Sequence, residues 1–214
     1  MGLAQAGIWI AVLVGPVLTA IVLHELAHGT VANLCGDPTA AEHGRLTLNP
    51  LRHLDPVGSV LVPGMLFAIA MWSGSTPFLF GWARPVPVAF HRLRRPRRDM
   101  VMVAIAGPAT NLVLAMLSTA ALATFPRGGT EGIVGQLLAS SVVINCILAV
   151  FNMFPVPPLD GGRVLQALLP LQYARRLQAM EGVGMVVVVL VVLNTPLLEV
   201  LVRPLVSVMF QWAG

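Results

Sequence analysis

The sequence predicts an all-α polytopic membrane protein, with about four to six transmembrane or re-entrant segments and a small membrane-associated β element. Three observations predict it. Hydrophobic residues make up 57% of the 214 residues and charged residues only 10%, against about 45–50% and about 25% in soluble domains. Several apolar runs reach 20 or more residues, the length a helix needs to cross a bilayer. Most of the charges that remain fall between those runs, above all in HRLRRPRRD (91–99). The chain, 1–214, reads as a single domain.

The elements follow in order. Residues 8–32 form the first predicted span, too long and too poor in basic residues at its start for a secretory signal. In GRLTLN (44–49), Leu46 and Leu48 alternate with Arg45, Thr47 and Asn49, the pattern of a strand. In the stretch about 57–80, the apolar run VGSVLVPGMLFAIAMW (57–72) is short for a crossing and contains Pro63-Gly64, and the stretch is expected to be re-entrant. RPVPVAF (84–90) reads as extended, with Pro85 and Pro87 confining it to an edge. Residues 101–125 and 133–155 are spans joined by the polar turn PRGGTEG, and 183–212 is a further apolar stretch broken at Asn194–Pro196 and Pro204.

Charge sets the topology. The net charge is +4 and every basic residue is an arginine, a usage that points to a GC-rich bacterial genome. The 91–99 block flanks a span and reads as a positive-inside signal, so no nucleic-acid partner is expected. With that block cytoplasmic, 101–125 leaves the cytoplasm and 133–155 returns, bringing residues 155–164 back to the cytoplasmic side. The end of the first span reaches the same side only if 57–80 dips in and comes back. The expected location is thus a bacterial cell membrane, with lipid as a partner. Cys35 and Cys146 lie in different segments and imply no disulfide. The oligomeric state is left open.

HELAH (24–28) carries the chemistry. His24 and His28, four residues apart, share one helical face and can bind one metal ion, while Glu25 reaches a water beside it. Ionisable side chains inside a span are expensive and mark function. A catalytic zinc takes three protein ligands, and His43, His53, Asp55 and Asp160 are the candidates for the third. Asp160 stands out: it ends a charge-free run from Ile133 to Leu159, follows the helix-breaking PVPP and precedes Gly161-Gly162. A salt bridge to Arg163 is the structural alternative for its carboxylate.

HELAH together with FNMFPVPPLDGGRVL (151–165) resembles the site-2 protease family of intramembrane zinc metalloproteases. GRLTLNPLRHLDPVGS, GWARPVPV and RRPRRDMVMVAIAGPATN resemble a compact bacterial branch of it, so that the likeness covers about residues 15–175. The resemblance implies one Zn2+ per chain, with His24, His28 and Asp160 as ligands and Glu25 as catalytic base. It implies that Asn152 helps to hold the oxyanion or the scissile peptide, and that Gly107 and Asn111 of AGPATN pack near the site. The function it implies is regulated intramembrane proteolysis: a zinc endopeptidase hydrolysing peptide bonds in or near transmembrane segments of membrane-anchored proteins, its active site towards the cytoplasm. The alternatives are a membrane metal-ion transporter and a non-catalytic metal-binding membrane protein. Because a substrate helix must unwind to expose its peptide bonds, strand addition to 44–49 is expected to hold it.

Overall fold

The computed structural model describes residues 3–74, 81–125 and 132–214. The described chain is helical throughout its regular structure. Helix α1 spans Leu3–Leu34, α2 is a single turn at Thr39–Glu42, and α3 spans Val62–Ser73, entered through a π-helical turn at Pro56–Leu61. Helices α4 (Pro96–Leu122) and α5 (Ile133–Asn152) are followed by α6 (Asp160–Leu168), α7 (Leu171–Ala179), α8 (Glu181–Asn194) and α9 (Leu197–Ala213). By length and composition, four stretches can cross a membrane: Val12–Leu34, Pro56–Ser73, Pro96–Leu122 and Ile133–Asn152. The bent pair Glu181–Val192 and Leu197–Ala213, at 71° to one another, makes a fifth if it is one broken span. The chain is an integral membrane protein, and its outer faces agree: Met65, Phe67, Ile69, Met71 and Trp72 on α3, and Val183, Val186, Val187 and Leu190 on α8, are all exposed. Such apolar surface is stable against lipid.

Helices α1, α4 and α5 form the central bundle. Contacts fix their directions. His24 meets Asn111 and His28 meets Val103, so α1 and α4 are antiparallel. Asn111 meets Asn145 and Ser118 meets Ser141, so α4 and α5 are antiparallel too. The C-terminal ends of α1 and α5 therefore lie at one end of the bundle, beside the start of α4. Small residues allow the close approach: Ala20, Ala32, Ala104 and Ala115 are all buried. On the far side, α9 covers α4 and α5 through Val202 and Met209 against Ala115, Leu122, Val142 and Cys146.

The segment between α1 and α4 starts and finishes at that same end of the bundle. Asp55 caps the turn that opens it, accepting from Val57 N at 3.0 Å and Gly58 N at 2.7 Å, with Pro56 at the first helical position. The helical stretch, Pro56–Ser73, is 18 residues, and the chain continues as helix through Pro63-Gly64. Residues 75–80 lie outside the described residues. The chain nevertheless comes back to where it left: Trp82 N donates to Gly58 O at 3.1 Å, and the Ser59 hydroxyl donates to Trp82 O at 2.8 Å.

The expected β element is not formed by the described residues. Among the described residues there is no strand, and neither 44–49 nor 84–90 enters a ladder. Their polar groups are spoken for in other ways. The Arg45 guanidinium bonds the carbonyls of Arg52, Arg84 (2.6 Å) and Pro85 (3.2 Å), and the His53 ring bonds Thr47 O at 2.8 Å. Pro85 and Pro87 have no N–H to offer. One backbone bond, Arg84 N to His53 O at 2.8 Å, ties the second region to the turn that follows the first. Thr47 O is thus occupied by the His53 ring, and 44–49 is no ladder edge among the described residues.

Buried Asp37 locks these loops to the end of α1. It accepts from Thr39 N at 3.0 Å, Ala89 N at 2.5 Å and the Thr39 hydroxyl. Burial alone would raise its pKa, but those hydrogen bonds, and the charge of Arg92, outweigh burial and hold it below the usual carboxylate value. A depressed pKa stabilises the fold above the unfolded value, and that contribution is lost as pH falls through the folded one. Asp37→Ala should therefore destabilise the protein at neutral pH by about 1–3 kcal/mol, since it orphans the Ala89 N–H. It should also remove part of the acid-side decline below about pH 4. Thermal unfolding in detergent from pH 7 to pH 3 reads both; parallel wild-type and variant curves would contradict the assignment.

Candidate metal centre

His24 and His28 emerge from successive turns of α1, and Asp160 opens α6, where Leu159 ends the proline-rich passage from α5. Two glycines bring α6 in. A Cβ at Gly161 would overlap the Met153 carbonyl, with Phe154 O at 2.5 Å, and one at Gly162 would lie 2.5 Å from Pro157 N. Arg97, at the start of α4, bonds Leu169 O at 3.1 Å and fastens the other end of α6.

The result is a convergence of electron-pair donors. His28 Nε2 lies 3.0 Å from His24 Nε2, and Asp160 Oδ2 lies 3.3 Å from the first ring and 3.2 Å from the second. His24 and His28 are 6% and 8% exposed and Asp160 7%, so water does little to relieve their mutual repulsion. The outer nitrogens are engaged: His24 Nδ1 with Asn111 Oδ1 at 2.6 Å, and His28 Nδ1 with Val103 O at 2.7 Å. A backbone carbonyl only accepts, so His28 carries its proton on Nδ1 and, in the neutral ring, turns a bare Nε2 to the centre. Asp160 Oδ2 is buried without a hydrogen-bond partner.

These three residues fit a metal ion. An ion about 2.0–2.2 Å from each of three ligands at tetrahedral angles separates them by about 3.3–3.6 Å, close to the 3.0–3.3 Å observed. Two imidazoles and one carboxylate, the rings pinned from behind by hydrogen bonds, form a donor set suited to zinc. Among the described residues, His24, His28 and Asp160 are the grouping of His, Cys, Asp and Glu whose ligand atoms meet, all within 4.8 Å.

The other candidates go elsewhere. His43 bonds Thr39 O on its own helical turn, His53 is enclosed among the loops, and Asp55 is the cap described above. Arg163 makes no ion pair with Asp160; its guanidinium lies 5.5 Å from the centre of the Phe90 ring.

A cavity of about 350 Å³ opens beside the three ligands. Glu25 and Asn152 line it, among Ile21, Leu148, Phe151, Val86 and Met185. Glu25 Oε2 accepts from Val86 N at 2.8 Å, which fixes the carboxylate and leaves its second oxygen for chemistry. Asn152 Nδ2 bonds Leu148 O at 3.0 Å, one turn back; an amide has a second N–H to turn toward a ligand. The wall that carries Val86 is pressed onto α1 at Gly29, where a Cβ would stand 2.9 Å from Val86 Cγ1 and 2.6 Å from Leu46 Cδ2.

Three contributors lie outside the sequence reading. The Val103 carbonyl and the Val86 amide are backbone groups, with no side-chain signal to betray them. Asn145 is a polar residue in a charge-free run (133–151) that also holds Gln136, Ser140 and Ser141, so it did not stand out.

Comparison with known proteins places the chain in a family. The profile described as peptidase family M50 matches residues 129–194. Over 201 residues the chain is 36% identical to "Putative zinc metalloprotease YwhC" of Bacillus subtilis, covering 91% of this chain and 85% of that protein. It is 31% identical over 212 residues to "Putative zinc metalloprotease Rip2" of Mycolicibacterium smegmatis, covering 99% of this chain and 77% of that one. No solved structure gives a significant match. The chain belongs to peptidase family M50, the site-2 protease family of zinc metalloproteases.

Gly107 supplies a test. A Cβ there would overlap His28 Nε2 and stand 2.5 Å from His24 Cε1, so the position faces the ligands themselves. Gly107→Ala should weaken zinc retention at least about tenfold, measured as zinc per chain after dialysis against a chelator. Undiminished zinc would show that α4 does not press on the rings.

Proposed function

We propose that this chain is an intramembrane zinc endopeptidase that cuts membrane-anchored proteins in or near their transmembrane segments. The observation that carries the reading is the meeting of His24, His28 and Asp160 at the wall of a cavity that Glu25 also lines. In this reading His24 Nε2, His28 Nε2 and Asp160 Oδ2 hold the ion. Zinc supplies Lewis acidity there, polarising a carbonyl and bringing the pKa of a water to about 7.

The chain's own groups do the rest. Glu25 accepts the proton of the attacking water and passes it to the departing amine. The Val86 N–H holds one of its oxygens, so the other points into the cavity without a search among rotamers. Asn152 donates its free N–H to the charge that develops on the substrate carbonyl oxygen. The apolar lining from α1 and α5 receives an unwound, apolar stretch of substrate.

The orientation rests on charge and on the chain path. Residues 58 and 82 adjoin one another, which supports a re-entrant course for the segment between them. That course leaves 33–56 and 81–100 on one side, and the arginines of 91–99 favour the cytoplasm for it. Lipid surrounds the bundle, and a bacterial cell membrane is the proposed location. The arrangement suits a protease acting in regulated intramembrane proteolysis.

Glu25→Gln separates catalysis from metal binding. The full-length variant in liposomes should keep about one zinc per chain and cleave a model transmembrane substrate about 10²–10⁴-fold more slowly than the wild type. Wild-type cleavage would refute the role of Glu25. Asp160→Ala should lose zinc and activity together, and full zinc in that variant would remove Asp160 from the ligand set.

A further inference from the structure

A line of hydrogen bonds crosses the bundle to the metal centre, and its direction is set at the far end. Asn145, buried on α5, donates through Nδ2 to Ser141 O at 2.9 Å. That carbonyl can only accept, so Asn145 turns Oδ1 toward α4. There Oδ1 accepts from Nδ2 of Asn111 at 2.8 Å. The same Asn111 nitrogen lies 3.4 Å from Ala20 O, a second pure acceptor. With its amide thus oriented, Asn111 presents Oδ1 to His24 Nδ1 at 2.6 Å. Nδ1 must then be the protonated nitrogen, and Nε2 faces Asp160 and His28 with a bare lone pair. The Ser118 and Ser141 hydroxyls, 2.8 Å apart, close the outer end of the line.

His28 needs no such device, because Val103 O selects its tautomer directly. His24 faces an amide that could present either end. Were Asn111 turned over, its NH2 group would confront Nδ1 and favour the ring with its proton on Nε2, the nitrogen that must bind metal. We propose that Asn145 is a positioning residue for the metal centre: through Asn111 it fixes the tautomer of His24, and with it the affinity for Zn2+. This rests on His24 being a zinc ligand. It assigns a function to a helix that gives the site no ligand, and to a residue buried three side chains away from the ion.

The test is zinc retention by full-length, zinc-loaded protein under a chelator challenge. Asn145→Leu removes the acceptor that orients Asn111 and should weaken zinc retention about 10–100-fold. Asn145→Asp keeps an oxygen toward Asn111 whether or not its carboxyl is protonated, and should hold zinc within about threefold of wild type, well short of that loss. A packing role predicts the reverse order, because a buried carboxyl is harder to accommodate than leucine. Should Asn145→Leu fail to fold, Asn145→Ala carries the same expectation, because a methyl group removes the acceptor and adds no bulk. Wild-type retention in the Leu or Ala variant, or a greater loss in the Asp variant, would overturn the proposal. His24→Ala is the control: if it too retains zinc, the metal-centre reading fails and not the relay alone.

Discussion

Three electron-pair donors pressed within 3.3 Å of one another, inside a bundle whose outer surface is apolar, are the constraint on which this structure turns. In water such a cluster would spread apart and hydrate. Here the helices do not let it. Gly107 brings the α4 backbone against both rings, the Gly161-Gly162 pair draws Asp160 inward, and the hydrogen bonds behind the imidazoles stop them from turning away. An ionised side chain at the centre of a membrane helix costs about 2.5–3.5 kcal/mol on insertion scales. A polyvalent cation shared by His24, His28 and Asp160 would turn that penalty into binding energy.

The bundle's directions follow from the same requirement. Asp160 reaches the histidines because α1 and α5 run parallel and end together, which in turn requires the chain between α1 and α4 to finish where it began. The Gly58–Trp82 contact meets that requirement at the level of single atoms. The returning chain also builds one wall of the cavity. It reaches Glu25 through the Val86 N–H and is held from behind by the buried guanidinium of Arg45 and by Asp37. Segments that look like connecting loops thus set the orientation of the Glu25 carboxylate, the proposed base.

The parts legible in the sequence were those with a local pattern or an anomalous composition. His24 and His28 are read from a four-residue spacing that any helix converts into one face. Asp160 is read from the charge-free run before it and the glycines after it. The helical spans follow from hydropathy. What escaped was written in long-range contacts. Alternation in GRLTLN looks like a strand, yet Arg45 and His53 take the carbonyls a ladder would use, and the prolines of RPVPV withhold the donors. Val86 N and Val103 O act through the backbone, so no choice of side chain advertises them. Gly107 invites a packing interpretation, but its missing Cβ makes room for the rings of His24 and His28 rather than for a helix alone.

The central claim is that two imidazoles and one carboxylate, and no thiolate, hold a single zinc ion. X-ray absorption at the zinc edge of the purified, catalytically active protein tests it most directly. The account predicts a shell of nitrogen and oxygen at about 2.0–2.2 Å, with outer-shell scattering from two imidazoles that falls to one in His28→Ala. A sulfur shell at about 2.3 Å, or an imidazole count unchanged by that substitution, would contradict it.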